Sequence, residues 1–170
     1  MLHPHVKAVK GDVIHGNGLV ADKPIKVGEI VSQMNVGTPT MTIQELLEKT
    51  PEQQEHLLHY AYQCSETHLA FEGEPERFMN HSCDPNIGWL DDNTMIARRD
   101  IAEGEEITYD YAMTEISVPL DMICGCGSPL CRGRVTALDY LNLDWQVRYS
   151  DYLPPHTLKA IEMARALSMR

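Results

Sequence analysis

Short apolar runs alternate with glycines along the first part of the chain. The apolar pairs Leu19-Val20 and Ile30-Val31 are separated by glycine-containing segments, among them Gly16-Asn17-Gly18 and Lys26-Val27-Gly28-Glu29. Apolar runs of this length with such segments between them are typical of β-strands joined by tight turns. We therefore predict several short strands between residues 6 and 36.

The apolar spacing becomes helical between residues 42 and 63. Thr42-Ile43-Gln44-Glu45 fits a capping box, in which the first and last side chains each bond the other residue's backbone N–H. Thr50-Pro51 begins a second helix, with threonine at the cap and proline in the first turn. The apolar residues assigned to this second helix are Leu57, Leu58, Ala61 and Tyr62. A pair of helices is therefore predicted between two groups of strands.

The pattern then returns to strands and ends in helices. We predict a strand at 67–71, a hairpin of strands at 86–90 and 94–98, and helices at about 136–150 and 155–168. The two helices are separated by Pro154-Pro155, and their predicted role is to cap the core. The sequence as a whole predicts a β-rich α+β fold with a helical C-terminal tail.

Length and charge limit the classes of protein. With 170 residues the chain fits one domain with its own core. It has no apolar run of about 18 residues and no signal-peptide pattern, so we expect a cytoplasmic or nuclear protein that does not bind membranes. The net charge of −11 argues against direct binding of nucleic acid and favours a basic protein or peptide partner. The oligomeric state stays open.

Three of the five cysteines lie close together, as Cys124, Cys126 and Cys131. Three thiols at this spacing predict a structural zinc site, which needs a fourth ligand from a distant segment. From the residues alone, that ligand is either Cys83 or Cys64. The alternative is a redox cluster in which two of the close thiols form a disulfide.

Two further segments carry polar groups that suit a site. The segment from Arg77 to Asn86 should form an ordered turn that presents Asn80, His81 and Cys83 together, although an ordinary polar loop is the alternative. Tyr109 and Tyr111 would point to the same face of a regular strand, either as a channel wall or as core residues.

These segments resemble the motifs of the SET-domain lysine methyltransferases. Arg77–Asn86 is similar to that family's Arg-Phe-x-Asn-His-Ser-Cys-x-Pro-Asn signature, and the other matching segments are Gly16-Asn17-Gly18, Gly104–Tyr111 and the three close cysteines. The resemblance implies small curved sheets with a C-terminal segment threaded through an earlier loop, a pseudoknot. It divides the chain into a SET domain (1–112, with the helices of 42–63 as an insert), a post-SET zinc segment (113–133) and a helical extension (134–170).

The resemblance also assigns roles to single residues. It implies S-adenosylmethionine as cofactor and a lysine in a histone or another basic protein as substrate. Its cofactor contacts are Gly16, Asn17, Gly18, Arg77, Asn80 and His81, and its zinc ligands are Cys83, Cys124, Cys126 and Cys131. Tyr111 is the implied catalytic tyrosine, and Tyr109 the residue that favours mono- or dimethylation.

The chain departs from the family at one wall of the lysine channel. The family's early Tyr-x-Gly-Glu sequence is replaced by Met34-Asn35-Val36-Gly37, so one aromatic wall is missing or supplied elsewhere. Tyr60 and Tyr62 are candidates to replace it, although core packing is the favoured role for either. A non-catalytic module that keeps the fold and recruits partners is the alternative function.

Overall fold

The computed structural model describes residues 1–11, 13–59 and 61–168. The strands of these residues are β1 (Val6–Lys10), β2 (Asn17–Ala21), β3 (Ile30–Gln33), β4 (Thr40–Thr42), β5 (Tyr62–Gln63), β6 (His68–Ala70), β7 (Asn80–His81), β8 (Ile87–Asp91), β9 (Thr94–Ala97), β10 (Thr108–Tyr109), β11 (Asp121–Ile123) and β12 (Arg134–Thr136). The α-helices are α1 (Ile43–Leu47), α2 (Pro51–Leu58), α3 (Leu143–Tyr149) and α4 (Pro155–Ser168).

The strands assemble into small sheets of two or three strands each. The sheets are β1–β2, β7–β10, β11–β12, β3–β9–β8 and β4–β6–β5. The predicted hairpin is confirmed, because β8 and β9 pair antiparallel with Ile87 opposite Ala97. The predicted β-rich architecture with few helices is therefore present.

The pairing of β7 with β10 positions the candidate site. The two strands run parallel, with Asn80 opposite Thr108 and His81 opposite Tyr109. Parallel neighbours need a long crossover between them, and here that crossover contains the β8–β9 hairpin. The pairing places the segment around Asn80 directly beside the segment that carries the two tyrosines.

Both predicted capping boxes are confirmed. The Thr42 hydroxyl accepts a hydrogen bond from the Glu45 backbone N–H, and the Glu45 carboxylate accepts one from the Thr42 N–H. Thr50 and Gln53 form the same reciprocal pair at the start of α2. Each box satisfies two N–H groups that a helix start leaves unpaired. These short helices therefore begin after Thr42 and Thr50, as predicted.

Two predicted helices differ in extent from the structure. α2 ends at Leu58, and Tyr62 lies in strand β5, where the Gln63 backbone N–H donates to the buried Glu115 carboxylate. The predicted helix at 136–150 is shorter, because residues up to Thr136 pair in β12 and α3 starts only at its Asn142 cap. The predicted helix at 155–168 is confirmed as α4.

The C-terminal tail packs against the main core. Leu19, Ile25 and Ile107 are fully buried in that core, together with Trp145 and Tyr149 of α3. A smaller cluster lies beneath α1 and α2 and contains Leu46, Leu69 and Val118. α4, with 14 residues, is too short to cross a bilayer, and no helix of the described residues has both the length and the apolar character that crossing requires.

Candidate active site

A turn brings the two tyrosines together. β10 ends at Tyr109 and a short 3-10 helix begins at Tyr111, so the expected regular strand does not continue through both residues. Asp110 caps this turn by accepting a hydrogen bond from the Ala112 N–H at 3.1 Å. The ring centroids of Tyr109 and Tyr111 nevertheless lie 4.8 Å apart, with the ring planes inclined at 45°, because the turn brings the two side chains together.

Both phenols are held in their neutral form. Burial, reinforced by the Glu115 carboxylate among nearby groups, raises the pKa of Tyr109 and of Tyr111 well above the ordinary value for tyrosine. The Tyr111 hydroxyl donates a hydrogen bond to the Met79 carbonyl at 3.0 Å. At neutral pH each tyrosine therefore offers a hydroxyl, not a phenolate.

His81 connects the tyrosine turn to the cysteines. Its Nδ1 accepts a hydrogen bond from the Tyr111 backbone N–H at 3.2 Å, and its Nε2 lies 3.4 Å from the Cys83 sulfur. Burial lowers the pKa of His81, so the ring is neutral and these partners place its proton on Nε2. Both ring nitrogens are thus engaged by protein atoms.

Asn80 holds the glycine loop between β1 and β2. Its amide donates to the carbonyls of His15 and Asn17, at 3.1 and 3.0 Å, and to the Glu106 carboxylate at 2.8 Å. The other Glu106 oxygen accepts from the Ile14 N–H at 2.7 Å. Glu106 thereby fixes this loop from the opposite side, a role that the sequence did not reveal although Glu106 lies within a recognised motif.

Glycine is required in this loop for packing and for backbone conformation. A Cβ at Gly18 would lie 2.8 Å from the Glu106 Oε1 atom, which leaves no room for a side chain. Gly16 has a φ of +54°, in the left-handed region that favours glycine. The backbone of Gly16 and Asn17 remains exposed to solvent beside the half-buried Asn80.

The four cysteines predicted by the resemblance come together. The sulfur atoms of Cys83, Cys124, Cys126 and Cys131 all lie within 4.8 Å of one another, and the Cys83 and Cys124 sulfurs are 3.7 Å apart. All are free thiols, whereas Cys64 lies elsewhere and bonds the His68 carbonyl. The structure therefore selects Cys83 over Cys64 as the companion of the three close cysteines, and it shows no disulfide among these thiols.

This sulfur cluster fits a tetrahedral zinc ion. Zinc–sulfur bonds of about 2.3 Å place the sulfurs of a tetrahedron about 3.8 Å apart, close to the Cys83–Cys124 distance. Backbone N–H groups also point at the sulfurs, from Cys83 to Cys126 at 3.5 Å and from Arg132 to Cys83 at 3.4 Å. Although burial opposes ionisation of Cys126, the backbone N–H groups of Cys83 and Ser128 and the neighbouring thiols lower its pKa to about 7. The four thiols supply the soft donor set that zinc prefers, although burial raises the pKa of Cys83 and of Cys124.

A buried carboxylate ties the cysteine segment and α3 to the tyrosine turn. Asp110 is fully buried and accepts two hydrogen bonds from the Arg132 guanidinium, at 2.6 and 2.8 Å, and one from the Trp145 indole at 2.9 Å. The Tyr149 hydroxyl also donates to the Cys83 carbonyl at 2.7 Å. The cysteine segment and α3 therefore both contact Asp110, which lies between the two tyrosines. α3 also contacts Cys83 of the sulfur cluster.

Replacing Arg132 with methionine is expected to destabilise the zinc-loaded protein by about 3 to 5 kcal/mol, because Asp110 would keep a buried charge without its partner. Arg134→Met is the matched control, since Arg134 pairs with Asp121 at the surface, where solvent screens the pair and its loss should change stability little. Urea unfolding of both variants measures the difference, and equal losses would contradict a special role for the buried pair.

A pocket lined with aromatic rings and carboxylates lies beside the two tyrosines. We call it the tyrosine pocket, and its lining includes Tyr62, Met79, Trp89, Met95, Tyr109 and Tyr111, together with Glu72, Glu76, Arg77 and Glu115. Its rings form a row, with Tyr62 5.5 Å from Trp89 and Trp89 6.2 Å from Tyr109 between centroids. Such a pocket suits a long apolar stem with a cationic end.

Arg77 and Tyr62 both lie on the wall of the tyrosine pocket. Arg77 forms an ion pair with Glu74 and stacks near the Phe78 ring, on the wall of the tyrosine pocket, so it is not grouped with the glycine loop. Of the two candidates for the missing channel aromatic, Tyr62 lines the pocket, whereas Tyr60 lies outside the described residues.

The SET domain family model matches residues 16–112. The chain is 36% identical over 138 residues to the "Putative histone-lysine N-methyltransferase 1" of Plasmodium falciparum, covering 75% of this chain and 2% of that protein. It is 31% identical over 133 residues to "Histone-lysine N-methyltransferase ASHH3" of Arabidopsis thaliana, covering 71% of this chain and 35% of that protein.

A solved structure agrees with these sequence matches. It is KRYPTONITE in complex with mCHG DNA and SAH, which has a TM-score of 0.58 and 21% identity over 78% of this chain and 29% of that chain. Since the family match covers more than half of the chain, this protein belongs to the SET domain family, and the predicted fold is confirmed. Cys124, Cys126 and Cys131 follow the matched region, where the resemblance placed a post-SET motif, and Cys83 lies within it. The chain spans only a small part of these relatives.

Proposed function

We propose that this protein transfers methyl groups from S-adenosylmethionine to the ε-amine of a lysine in a basic protein. The observation that carries the proposal is the close pair Tyr109 and Tyr111 on the wall of a cation-compatible pocket in a SET domain. A non-catalytic module has no use for Asn80, His81 and Tyr111 together, so we favour the enzyme.

Tyr111 is the proposed catalytic residue. S-adenosylmethionine supplies a methyl group on a sulfonium, which a neutral amine can attack. The Tyr111 hydroxyl and the Met79 carbonyl, which are hydrogen-bonded to each other, offer oxygen atoms for weak C–H···O contacts with that polarised methyl group. The aromatic walls would orient the lysine stem and exclude water around its amine.

The glycine loop, exposed at Gly16 and Asn17 and buried at Gly18, is the proposed cofactor surface. Gly16, Asn17 and Gly18 would bind through main-chain atoms beside Asn80, whose amide fixes the loop in place. Because both ring nitrogens of His81 already face protein atoms, its contact would come from the main chain. Arg77, on the pocket wall, would approach the cofactor only from the substrate side.

The proposed zinc site is structural. Cys83, Cys124, Cys126 and Cys131 would hold one ion and fix the cysteine segment against β7. We also propose the division of the chain that the resemblance implies. It comprises a SET domain to residue 112, a zinc-binding segment to residue 133 and a helical extension beyond.

The proposed substrate is a histone or another strongly basic protein. The relatives are named histone-lysine methyltransferases, the chain carries a net charge of −11, and Glu72, Glu76 and Glu115 line the tyrosine pocket. An acidic surface attracts basic partners over a Debye length. We accordingly propose that the protein works inside the cell, in the nucleus or cytoplasm, where such substrates occur.

Methyl-labelled S-adenosylmethionine, incubated with zinc-loaded protein and purified core histones, tests this function. We expect label on lysine after acid hydrolysis of the histones, and none when the protein is left out. A cell extract treated in the same way covers substrates other than histones. Label on another amino acid, or none on any protein, would contradict the proposal.

Replacing Tyr109 with phenylalanine is expected to shift products toward higher methylation. Loss of the buried hydroxyl enlarges the space around the amine and removes a group that a partly methylated amine can bond. Mass spectrometry of the modified lysine over time measures the proportions of mono-, di- and trimethyllysine. Tyr62→Phe is the control on another wall of the pocket, and an unchanged distribution with Tyr109→Phe would argue against the assignment.

A further inference from the structure

Glu115 is a buried carboxylate on the wall of the tyrosine pocket, two residues after the turn that carries Tyr111. The residue is 7% exposed. Its Oε1 atom accepts hydrogen bonds from the Gln63 backbone N–H at 3.0 Å and from the Thr114 hydroxyl at 3.3 Å. Its Oε2 atom is buried and has no hydrogen-bond partner. One half of the carboxylate is therefore satisfied by the fold, and the other half is not.

The position of Glu115 is fixed from both sides. The Gln63 side chain is fully buried and its amide oxygen accepts from the N–H groups of Ile116 and Ser117, at 3.1 and 2.9 Å. On the other side, the Thr114 carbonyl lies 3.1 Å from a ring nitrogen of His156 in α4. The chain on both sides of Glu115 is therefore held in place, which keeps this residue in the wall of the tyrosine pocket.

An unpaired oxygen in such a position is costly to the fold. A buried polar atom without a partner loses its hydration and gains nothing in return, and the loss is larger for a charged group. No cation of the described residues forms an ion pair with Glu115. An apolar side chain would cost less to bury at this position. The presence of a carboxylate here therefore points to a partner group that the substrate supplies.

The surroundings of Glu115 leave it as the main charge at this part of the pocket. The titratable groups near it are Tyr62, Tyr109, Tyr111 and Cys64, and those elsewhere on the pocket wall are Glu72, Glu76, Arg77 and His59. Burial raises the pKa of each of the three phenols and of the Cys64 thiol, so these four groups are neutral near pH 7. Arg77 is paired with Glu74.

We propose that Glu115 is the counter-ion of the substrate lysine in the tyrosine pocket and accepts the proton that the ammonium group must lose before methyl transfer. The proposal rests on the proposed function, which it deepens. In this step the Nζ–H bond breaks, its electron pair stays on nitrogen, and the proton forms a bond with a Glu115 carboxylate oxygen. The products are a neutral amine and a neutral carboxylic acid, and the acid releases the proton to solvent between turnovers.

The acidity of Glu115 suits this role. Burial raises its pKa to about 7, against the lowering effect of the hydrogen bonds from Gln63 and Thr114. A base that titrates near the working pH both exists in its ionised form and holds a proton once it has received one. A free lysine, by contrast, is neutral in only about one molecule in a few thousand at pH 7.

Glu115→Gln tests the proposal, because glutamine keeps the shape and an oxygen that can accept from Gln63. We expect kcat/KM at pH 7 to fall about 100-fold. At pH 9.5 the loss should shrink to less than about tenfold, because the neutral fraction of free lysine rises roughly 300-fold between these pH values. The wild-type profile of kcat should show an ascending limb near pH 7 that the variant lacks.

Glu66→Gln is the control for loss of a carboxylate, since Glu66 lies outside the tyrosine pocket and pairs with Lys159 at the surface. It should keep the limb near pH 7 and most of the activity. The Glu115→Gln variant should be at least as stable as wild type at pH 8. The pKa of Glu115 is raised from 4.5 to about 7 in the folded protein, so the fold becomes less stable as pH rises through that window. Glutamine does not ionise, so the variant avoids this loss of stability.

The outcomes separate this inference from the function beneath it. If wild type methylates lysine and Glu115→Gln does so equally well at pH 7, the role of Glu115 is overturned and the function stands. A pH-independent loss in the variant would also overturn it, because it indicates a structural effect. If wild type methylates no lysine, the proposed function fails and this inference fails with it.

Discussion

Replacing Tyr111 with phenylalanine is expected to lower kcat for methyl transfer about 1,000-fold while leaving the affinity for S-adenosylmethionine nearly unchanged. The change removes the one hydroxyl that bonds the Met79 carbonyl at the tyrosine turn. Fixed groups of this kind, placed where charge changes during reaction, typically contribute about 100- to 1,000-fold each. The Tyr111 backbone N–H still bonds His81, so the turn itself should persist.

Single-turnover rates with saturating cofactor, together with calorimetric titration of S-adenosylmethionine, measure this effect. Tyr152→Phe is the control, because its hydroxyl also faces a backbone carbonyl, that of Arg98, but outside the tyrosine pocket. That variant should keep full activity. Unchanged turnover in Tyr111→Phe would remove Tyr111 from the mechanism, and a joint loss of cofactor binding would assign it to the cofactor site instead.

Replacing Cys83 with serine is expected to release zinc and to detach the C-terminal tail. Structural zinc sites contribute about 10 to 16 kcal/mol of apparent binding energy at neutral pH, and losing one of four thiolates forfeits several kcal/mol of it. Cys83 has a second connection to the tail, since its carbonyl accepts a hydrogen bond from Tyr149. Loss of the metal should therefore loosen α3 as well as the cysteine segment.

Metal analysis and hydrogen exchange of the purified variant measure this outcome. We expect well under one zinc per chain and faster exchange in residues 124–149, whereas Cys64→Ser should keep its zinc because Cys64 lies apart from the cluster. Full metal content in Cys83→Ser, with unchanged exchange, would show that Cys83 is not a ligand. A chelator added to wild type should reproduce the Cys83→Ser result.

Local signals in the sequence predicted the elements that depend on local physics. Thr42 and Thr50 begin helices because their hydroxyls satisfy N–H groups three residues later, and both interactions are visible in a short stretch of sequence. The hairpin of β8 and β9 depends on the same kind of local signal. The end of α2 at Leu58 could not be predicted from local signals, because the distant Glu115 carboxylate binds the backbone of β5.

The candidate site shows a similar division. The residues of the motifs could be named in advance, and the fourth member of the cysteine cluster was found through the resemblance, since spacing alone left Cys83 and Cys64 equal. The expected strand through Tyr109 and Tyr111 was wrong in its geometry, because Asp110 caps a turn there. Glu106 and the network of Asp110, Arg132 and Trp145 were missed, because their partners lie far away in the chain.

Intact-mass analysis of a basic substrate protein is the decisive test of lysine methylation by this protein. Zinc-loaded protein is incubated with S-adenosylmethionine and histones, and the modified residue is then located by fragmentation. We predict mass gains of one CH₂ unit, on lysine, with one or two such units as the main products and almost none with Tyr111→Phe. The proposed lysine methylation would be contradicted by a protein that binds S-adenosylmethionine and zinc but adds no mass to any basic protein. Equal mass gains with Tyr111→Phe would contradict the catalytic role of Tyr111.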